Sequence, residues 1–116
     1  MAFPPVSWWY VTWRARVHEA STGNVDARLS ALADAMGHND AVGGLAGVHR
    51  LALSGVSFEF WFEARTEREA AGGARIALRQ ACRAAGIGDP TAPSRSGPVD
   101  VMLMFEEVPT LRWDDS

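Results

Sequence analysis

The chain has 116 residues, of which 47% are apolar and 22% are charged, and its formal net charge at pH 7 is −3. This length suits one domain that buries a core without disulfides or metal, and it excludes two ordinary domains. The acidic balance excludes a general electrostatic attraction to nucleic acid or to an anionic membrane. All 11 basic residues are arginine, a composition that suggests a high-GC bacterial genome.

Cysteine usage and the hydropathy pattern bear on the cellular compartment. Cys82 is the one cysteine, so an intrachain disulfide is excluded. It lies in an alanine-rich segment, where we expect a small buried apolar side chain rather than a reactive thiol. The N-terminal segment has neither a basic region nor an apolar run, and no apolar run approaches the roughly 20 residues that cross a bilayer. We therefore expect a cytoplasmic protein that has no membrane segment.

The first predicted element is a strand over residues 8–18, where aromatic and β-branched residues alternate with period two. A helix is predicted next, because apolar side chains recur at helical spacing from Val25 to Met36. Asn24 is a suitable N-cap for this helix, and Gly37 is expected to end it.

Two further strands are predicted over residues 45–53 and 56–65, joined by a two-residue turn at Ser54-Gly55. Such a turn places Leu53 opposite Val56 on the same face of the hairpin. The predicted core-facing set is Leu51, Leu53, Val56, Phe58, Phe60 and Phe62, with His49 in the same register. The opposite register would bury two glutamates without partners, which is costly.

The second predicted helix begins with a capping box formed by Thr66 and Glu69. It is predicted to run to about Ala85 and to end at Gly86. Its apolar stripe consists mainly of alanine, which allows a helix to lie close to a sheet. We interpret Gly72-Gly73 as a point of close backbone packing, although each glycine weakens a helix by about 1 kcal/mol relative to alanine.

The last part of the chain is predicted to form a flexible loop over 86–98, a fourth strand over 99–106 and a tail over 107–116. The whole chain, 1–116, is expected to be one domain with a core over 8–106. The element order βαββαβ resembles the ferredoxin-like, or split βαβ, superfold. The resemblance implies an α+β fold with a four-stranded antiparallel sheet and two helices on one face. It carries no functional residue.

The helix-free face of such a sheet is predicted to be rich in aromatic residues and arginine. Exposed apolar patches, and Arg together with Trp and Tyr, are typical of interfaces. We predict an interface or ligand-binding site that consists of Trp8, Tyr10, Arg14, Arg16, Arg50, Glu59, Trp61, Glu63, Met102 and Met104. Thr12 and Val48 are expected on the same face. Alternatively, the tail, the long loop or the N-terminal segment covers this face through Trp113 or Phe3.

The sequence contains no pattern typical of a metal, cofactor or nucleophilic site. The histidines are scattered, so we expect neither a metal nor a cofactor. Glu59 and Glu63 are expected to form cross-strand ion pairs with arginines of the same face. A stripe of arginines on the second helix is interpreted as a solvated surface, with contact to an acidic partner or a phosphate as the alternative. These residues are Arg68, Arg75, Arg79 and Arg83.

RNA binding is a further possibility for this topology, because RNA-recognition domains stack bases on aromatic side chains of their central strands. Tyr10 and Trp61 occupy suitable positions. However, the strand from Ser57 to Phe62 lacks the basic residue and the glycine with which the RNP1 motif begins, and two glutamates flank Trp61. We therefore expect no nucleic-acid partner.

The favoured interpretation is a small non-catalytic interaction domain that forms a homodimer or binds a partner protein through its helix-free face. The alternative is a dimeric α+β barrel, which the chain resembles in element order and size. That resemblance implies a small-molecule-binding protein or a cofactor-free monooxygenase, isomerase or cyclase. A flat aromatic ligand would then lie between two sheets, against Trp8, Tyr10, Arg14, Arg50, Trp61, Met102 and Met104.

Overall fold

The computed structural model describes residues 5–89 and 99–113, which form an α+β fold of two helices and a six-stranded sheet. The α+β class is therefore confirmed. The elements are β1 (Ser7–Val17), α1 (Val25–Gly37), β2 (Val42–Arg50), β3 (Gly55–Ala64), α2 (Glu67–Ala85), β4 (Ile87–Gly88), β5 (Val101–Phe105) and β6 (Thr110–Trp113). In these two ranges, no helix is both long enough and apolar enough to cross a membrane.

The strands follow the order β2-β3-β1-β5-β4, and β6 also pairs with β1. All neighbours are antiparallel except β4 and β5, which are parallel. Since β3 occupies one edge of β1, β5 and β6 share its other edge, β5 beside Ala15 to Val17 and β6 beside Trp9 to Thr12. The prediction of four strands was wrong, because pairing resumes after Pro109 and a short strand follows α2 directly.

The core lies between the two helices and the helix-facing side of the sheet. In β1 and β3, directly opposed core residues include the pairs Val11–Phe60 and Trp13–Phe58. All four of these side chains are buried, and they share one apolar cluster with residues of both helices. The predicted inward orientation of Val56, Phe58, Phe60 and Phe62 is confirmed.

The β2–β3 hairpin differs from its prediction. The loop is longer than the predicted turn, because three residues, Ala52, Leu53 and Ser54, separate Leu51 from Gly55. The Leu51 N–H donates a hydrogen bond to the Gly55 carbonyl at 2.9 Å. Leu53 has a left-handed backbone, with φ 65°, and its side chain is 97% exposed. This odd loop length reverses which β2 residues share a face with the core residues of β3.

Four predictions for β2 were therefore wrong. Val48 lies opposite buried Phe58, on the helix side, whereas His49 lies opposite Ser57 on the helix-free side. Arg50 lies opposite buried Val56, so it also leaves the predicted site. Leu51 and Leu53, which were predicted to face the core, are exposed.

Both predicted helix starts are confirmed in atomic detail. The Asn24 side chain accepts a hydrogen bond from the Ala27 N–H at 3.1 Å. Thr66 Oγ accepts one from the Glu69 N–H at 3.1 Å, while the Glu69 carboxylate accepts one from the Arg65 N–H at 3.0 Å. The Ala27 and Glu69 N–H groups are donors that the first helical turn leaves without intrahelical partners, whereas the Arg65 N–H precedes the N-cap.

Helix α2 presents its small residues to the sheet, as predicted. Ala70, Ala74, Ala77 and Ala81 are buried there, and so is Cys82. Burial raises the pKa of the Cys82 thiol to about 12. The helix ends at Gly86, which adopts a left-handed conformation with φ 73°. Of the predicted flexible loop, residues 90–98 lie outside the described ranges.

Candidate functional site

One face of the sheet lies opposite the helices; we call it the open face. Its β1 and β3 residues are fixed by the pairs Trp8–Glu63, Tyr10–Trp61, Thr12–Glu59, Arg14–Ser57 and Arg16–Gly55. On the outer strands it includes Gly43, Gly47, His49, Met102, Met104, Thr110 and Arg112. Large apolar side chains are exposed there: Trp8 by 39%, Trp61 by 38% and Met104 by 45%. Nine of the ten predicted site residues therefore share this face, Arg50 being the exception.

The predicted covering of this face by the tail is wrong for residues 110–113. These residues form β6 at the edge of β1, and Trp113 lies opposite Trp9. The two indole rings stack with centroids 6.4 Å apart, and Trp9 packs against the core. Trp113 therefore lies on the helix side of the sheet. Phe3 and residues 90–98, the other predicted covers, lie outside the described ranges.

Three aromatic side chains of the open face, Trp8, Tyr10 and Trp61, form what we call the aromatic cluster. The Tyr10 and Trp61 rings are tilted by 54°, with centroids 5.0 Å apart. Trp8 reaches across the sheet to β2, where a Cβ atom on Gly43 would be 2.6 Å from its ring. Because β3 lies between β1 and β2, the indole of Trp8 crosses the strand that carries Trp61. The glycine at position 43 makes room for this ring.

A chain of polar side chains lies beside the aromatic cluster. The Glu59 carboxylate lies close enough to Tyr10 to affect its phenol, and His49 Nε2 lies 3.7 Å from Glu59 Oε2. Burial raises the pKa of Tyr10, and the Glu59 carboxylate raises it further, while Arg112 acts in the opposite direction. At neutral pH the phenol is therefore protonated and can donate a hydrogen bond, but it is not a base.

The charges of the open face are separated along β1. Glu63 lies opposite Trp8 at one end, and Arg14 and Arg16 lie towards the other end. Because a strand rises about 3.3 Å per residue, roughly 26 Å separate positions 8 and 16. The cross-strand ion pairs with arginine predicted for the glutamates are absent from the described residues, where the Glu59 carboxylate contacts the His49 imidazole instead. We call the end that carries Trp8 and Glu63 the acidic, aromatic end and the end that carries Arg14 and Arg16 the basic end, although Arg112, opposite Tyr10, also lies towards the former.

Arg50 has a different role from the one predicted. Its Nη1 lies 3.3 Å from Oδ1 of Asp26, in the first turn of α1. It also lines a shallow groove between α1 and β2, together with Leu29 and Val48. A second groove lies between the start of α2 and the segment from Val108 to Leu111. Neither groove includes a residue of the open face.

The arginine stripe of α2 is exposed, as the interpretation of a solvated surface requires. Arg75 Nη2 donates a hydrogen bond to the Glu107 carbonyl at 3.0 Å. In the ranges 5–89 and 99–113, no three His, Cys, Asp or Glu side chains come together in a way that could hold a metal ion. The open face is thus the surface on which most of the predicted site residues meet.

Sequence reasoning missed five residues that the outer strands contribute to this surface: Gly43, Gly47, His49, Thr110 and Arg112. A loop of odd length between Leu51 and Gly55 would have placed His49 on the open face. The alternation of residues 110–113 was a signal for β6, and hence for Arg112, although Pro109 precedes it. No local pattern indicated that Trp8 would lie on Gly43, because the two residues belong to strands that are not neighbours.

No known protein family, curated protein or solved structure matches this chain. The open face is therefore interpreted from its own geometry and charge.

Proposed function

We propose that this chain is a small non-catalytic interaction domain that forms a homodimer through its open face. The observation that carries the proposal is the exposure of Trp8, Trp61 and Met104 on one helix-free surface with oppositely charged ends. Exposed apolar surface of this kind is typical of interfaces. We also propose that the element order is that of the ferredoxin-like superfold, and that the protein is cytoplasmic.

The charge pattern favours a second copy of the chain as the partner. In a symmetric dimer the same surface of both copies meets itself, so it must be self-complementary. A two-fold axis between the sheets and perpendicular to β1 places the basic end of one copy over the acidic, aromatic end of the other. Arg16 of one copy then faces Trp8 and Glu63 of the second copy.

The aromatic and charged side chains contribute in different ways. Exposed ion pairs contribute only about 0.2–1 kcal/mol each, so the arginine–glutamate pairs alone cannot hold the dimer. Removal of the aromatic cluster and Met104 from water supplies the main driving force, at about 25 cal/mol for each Å² of apolar surface buried. The charges then select the antiparallel orientation of the two copies, because the parallel one opposes like charges.

The test is the solution mass, measured by light scattering on a sizing column. We expect a value of twice 12.6 kDa, and a shift towards one chain for Trp61→Glu. The matched control is Ile76→Glu, which introduces the same charge at an exposed site on α2. Circular dichroism establishes that both variants are folded. A monomeric wild-type protein, or a dimer that survives Trp61→Glu, would contradict the proposal.

The second candidate, a dimeric α+β barrel that binds a small molecule or acts as a cofactor-free enzyme, is favoured by the proximity of Tyr10, Glu59 and His49 on the open face. Two apposed open faces would enclose the side chains of Tyr10, Glu59 and His49 together with the aromatic cluster. A flat aromatic ligand would suit such a lining. Titration with aromatic small molecules, followed by tryptophan fluorescence, tests this candidate. Saturable quenching would support an enclosed ligand site, and the lack of a response would favour the interaction domain.

A further inference from the structure

The acidic end of the open face combines aromatic rings and carboxylates within one chain. The Tyr10 and Trp61 rings are tilted rather than stacked in parallel, and Trp61 remains 38% exposed. Trp8 crosses β3 beside them and is exposed to a similar extent. Aromatic ring faces carry negative electrostatic potential and attract cations whose charge is weakly hydrated.

Two carboxylates flank these rings. Glu63 lies directly opposite Trp8, and Glu59 lies two residues before Trp61 on the same face, where it raises the pKa of Tyr10. Among the described residues, no cationic side chain forms an ion pair with Glu63. The arginines nearest to this end in the described ranges are Arg65, two residues after Glu63, and Arg112, opposite Tyr10. Glu63 is the carboxylate that lies beside Trp8, directly opposite it in the sheet.

We infer that this end of the open face is a binding site for an organic cation of the quaternary ammonium class. The methyl groups of such a cation contact the rings of Trp8 and Trp61, while its charge is offset by Glu63. A quaternary ammonium ion loses little hydration when it enters a half-exposed site, whereas a small inorganic cation would have to lose strongly bound water. The site is complete within one chain, so it does not rest on dimer formation.

This site and the proposed dimer compete for the same surface. In the dimer, the Arg16 guanidinium of a second copy faces Trp8 and Glu63. A bound ammonium cation occupies that place and shifts the equilibrium towards one chain. This coupling, unlike the site itself, rests on the proposed function.

The test is a titration with choline, followed by ¹H–¹⁵N NMR of the indole N–H groups. The indoles of Trp8 and Trp61 are expected to shift with a dissociation constant on the order of millimolar, because exposed cation–π contacts are individually weak. Those of Trp9 and Trp13 serve as internal references, since they donate to the Ala64 and Glu106 carbonyls at 3.1 and 2.8 Å. The uncharged analogue 3,3-dimethylbutan-1-ol has the same shape as choline and separates charge recognition from apolar adsorption.

Three variants sharpen the result. Glu63→Gln is expected to weaken choline binding by up to about fivefold, whereas Glu67→Gln, on α2, should leave it unchanged. Gly43→Ala should also weaken it, because the added methyl group displaces the Trp8 ring. Equal responses to choline and to its uncharged analogue, or no response to choline, would overturn the inference.

The Arg16→Glu variant separates failure of this site from failure of the proposed dimer. The substituted residue is remote from the aromatic cluster, so this variant is expected to bind choline as well as a monomeric wild-type protein does, and more tightly than a dimeric wild-type protein, in which Arg16 of the second copy competes for the site. If choline binds to both proteins but the wild-type protein is monomeric, the dimer proposal fails and the cation site stands. If the wild-type protein is dimeric and neither protein binds choline, the cation site fails and the dimer stands.

Discussion

Gly73 in α2 lies against the ring of Phe62 in β3, so closely that a Cβ atom on Gly73 would be 2.5 Å from Cε1 of that ring. Phe62 is buried and packs edge-on against Phe60, so its ring cannot move aside freely. Gly72, the neighbouring residue, has open space around the position of a Cβ atom. The close packing predicted for this glycine pair therefore applies to Gly73 alone.

Alanine substitutions at these two positions should have opposite effects on stability. Gly72→Ala is expected to raise the free energy of unfolding by about 0.5–1 kcal/mol, because alanine is the better helix former. Gly73→Ala should lower it by about 1–3 kcal/mol, since the core has no room for the methyl group. Urea denaturation followed by circular dichroism measures both. Equal stabilisation by the two substitutions would show that Phe62 does not restrict α2.

The β2–β3 loop offers a second test of local strain. Leu53 is the non-glycine residue with positive φ in the described part of the chain, and its exposed side chain supports no core contact. Left-handed backbone costs a residue with a Cβ atom about 1–2 kcal/mol. Leu53→Gly is thus expected to raise the free energy of unfolding by a few tenths to about 1 kcal/mol. Ala52→Gly, in the same loop, should instead lower it, and destabilisation by both variants would contradict this assignment of strain.

Charge reversal tests the orientation of the proposed dimer. Arg16→Glu places an acidic residue over Glu63 of the second copy, so the dissociation constant of the dimer should rise by at least about tenfold. Adding Glu63→Arg to the same chain restores opposite charges and should recover much of the affinity. Sedimentation equilibrium at several protein concentrations measures the constants. If the double variant dissociates as readily as the single one, these two residues do not face each other.

Cys82 should be almost inert in the folded protein. Because burial raises its pKa to about 12, thiolate is scarce near neutral pH, and reaction with Ellman's reagent should be slow until the protein unfolds. The unfolded thiol ionises near pH 8.5, so the folded state loses stability as pH rises from about 8.5 towards 12. Cys82→Ala should remove this thiol-dependent part of the alkaline loss. A fast reaction of the native protein at pH 7 would show that the thiol is accessible.

The elements that could be predicted from the sequence are those whose signal is local. Alternation in β1 and β3 fixed the inward orientation of Val11 and Phe60, and side-chain oxygens at Asn24 and Thr66 marked both helix starts. The prediction of the β2–β3 loop was wrong because the backbone conformation of one residue sets the length of that loop, and the hydropathy pattern does not reveal this conformation. Leu53 adopts a conformation that usually requires glycine, so Ser54-Gly55 was the more plausible turn.

The candidate site shows the same division between local and long-range information. The period of two in β1 and β3 is enough to predict that Trp8, Tyr10 and Trp61 lie together on one face. The contact of Trp8 with Gly43 depends on the order of three strands, and the position of Arg112 depends on a strand that resumes after Pro109. Arg50 was misplaced because one extra loop residue reverses the faces of β2.

The outer strands of the sheet have a consequence for how copies of this protein can assemble. At one edge, the pairing of β2 with β3 shifts register between Gly43 and Gly47, and Gly44 has a left-handed backbone. Along the other edge, β4 is two residues long and β6 is four residues long. Neither edge offers the long, regular row of backbone groups on which further strands are added in fibrils. Association is therefore expected through the faces of the sheet. A symmetric dimer of this kind buries the same surface of both copies, so no further copies can be added to it.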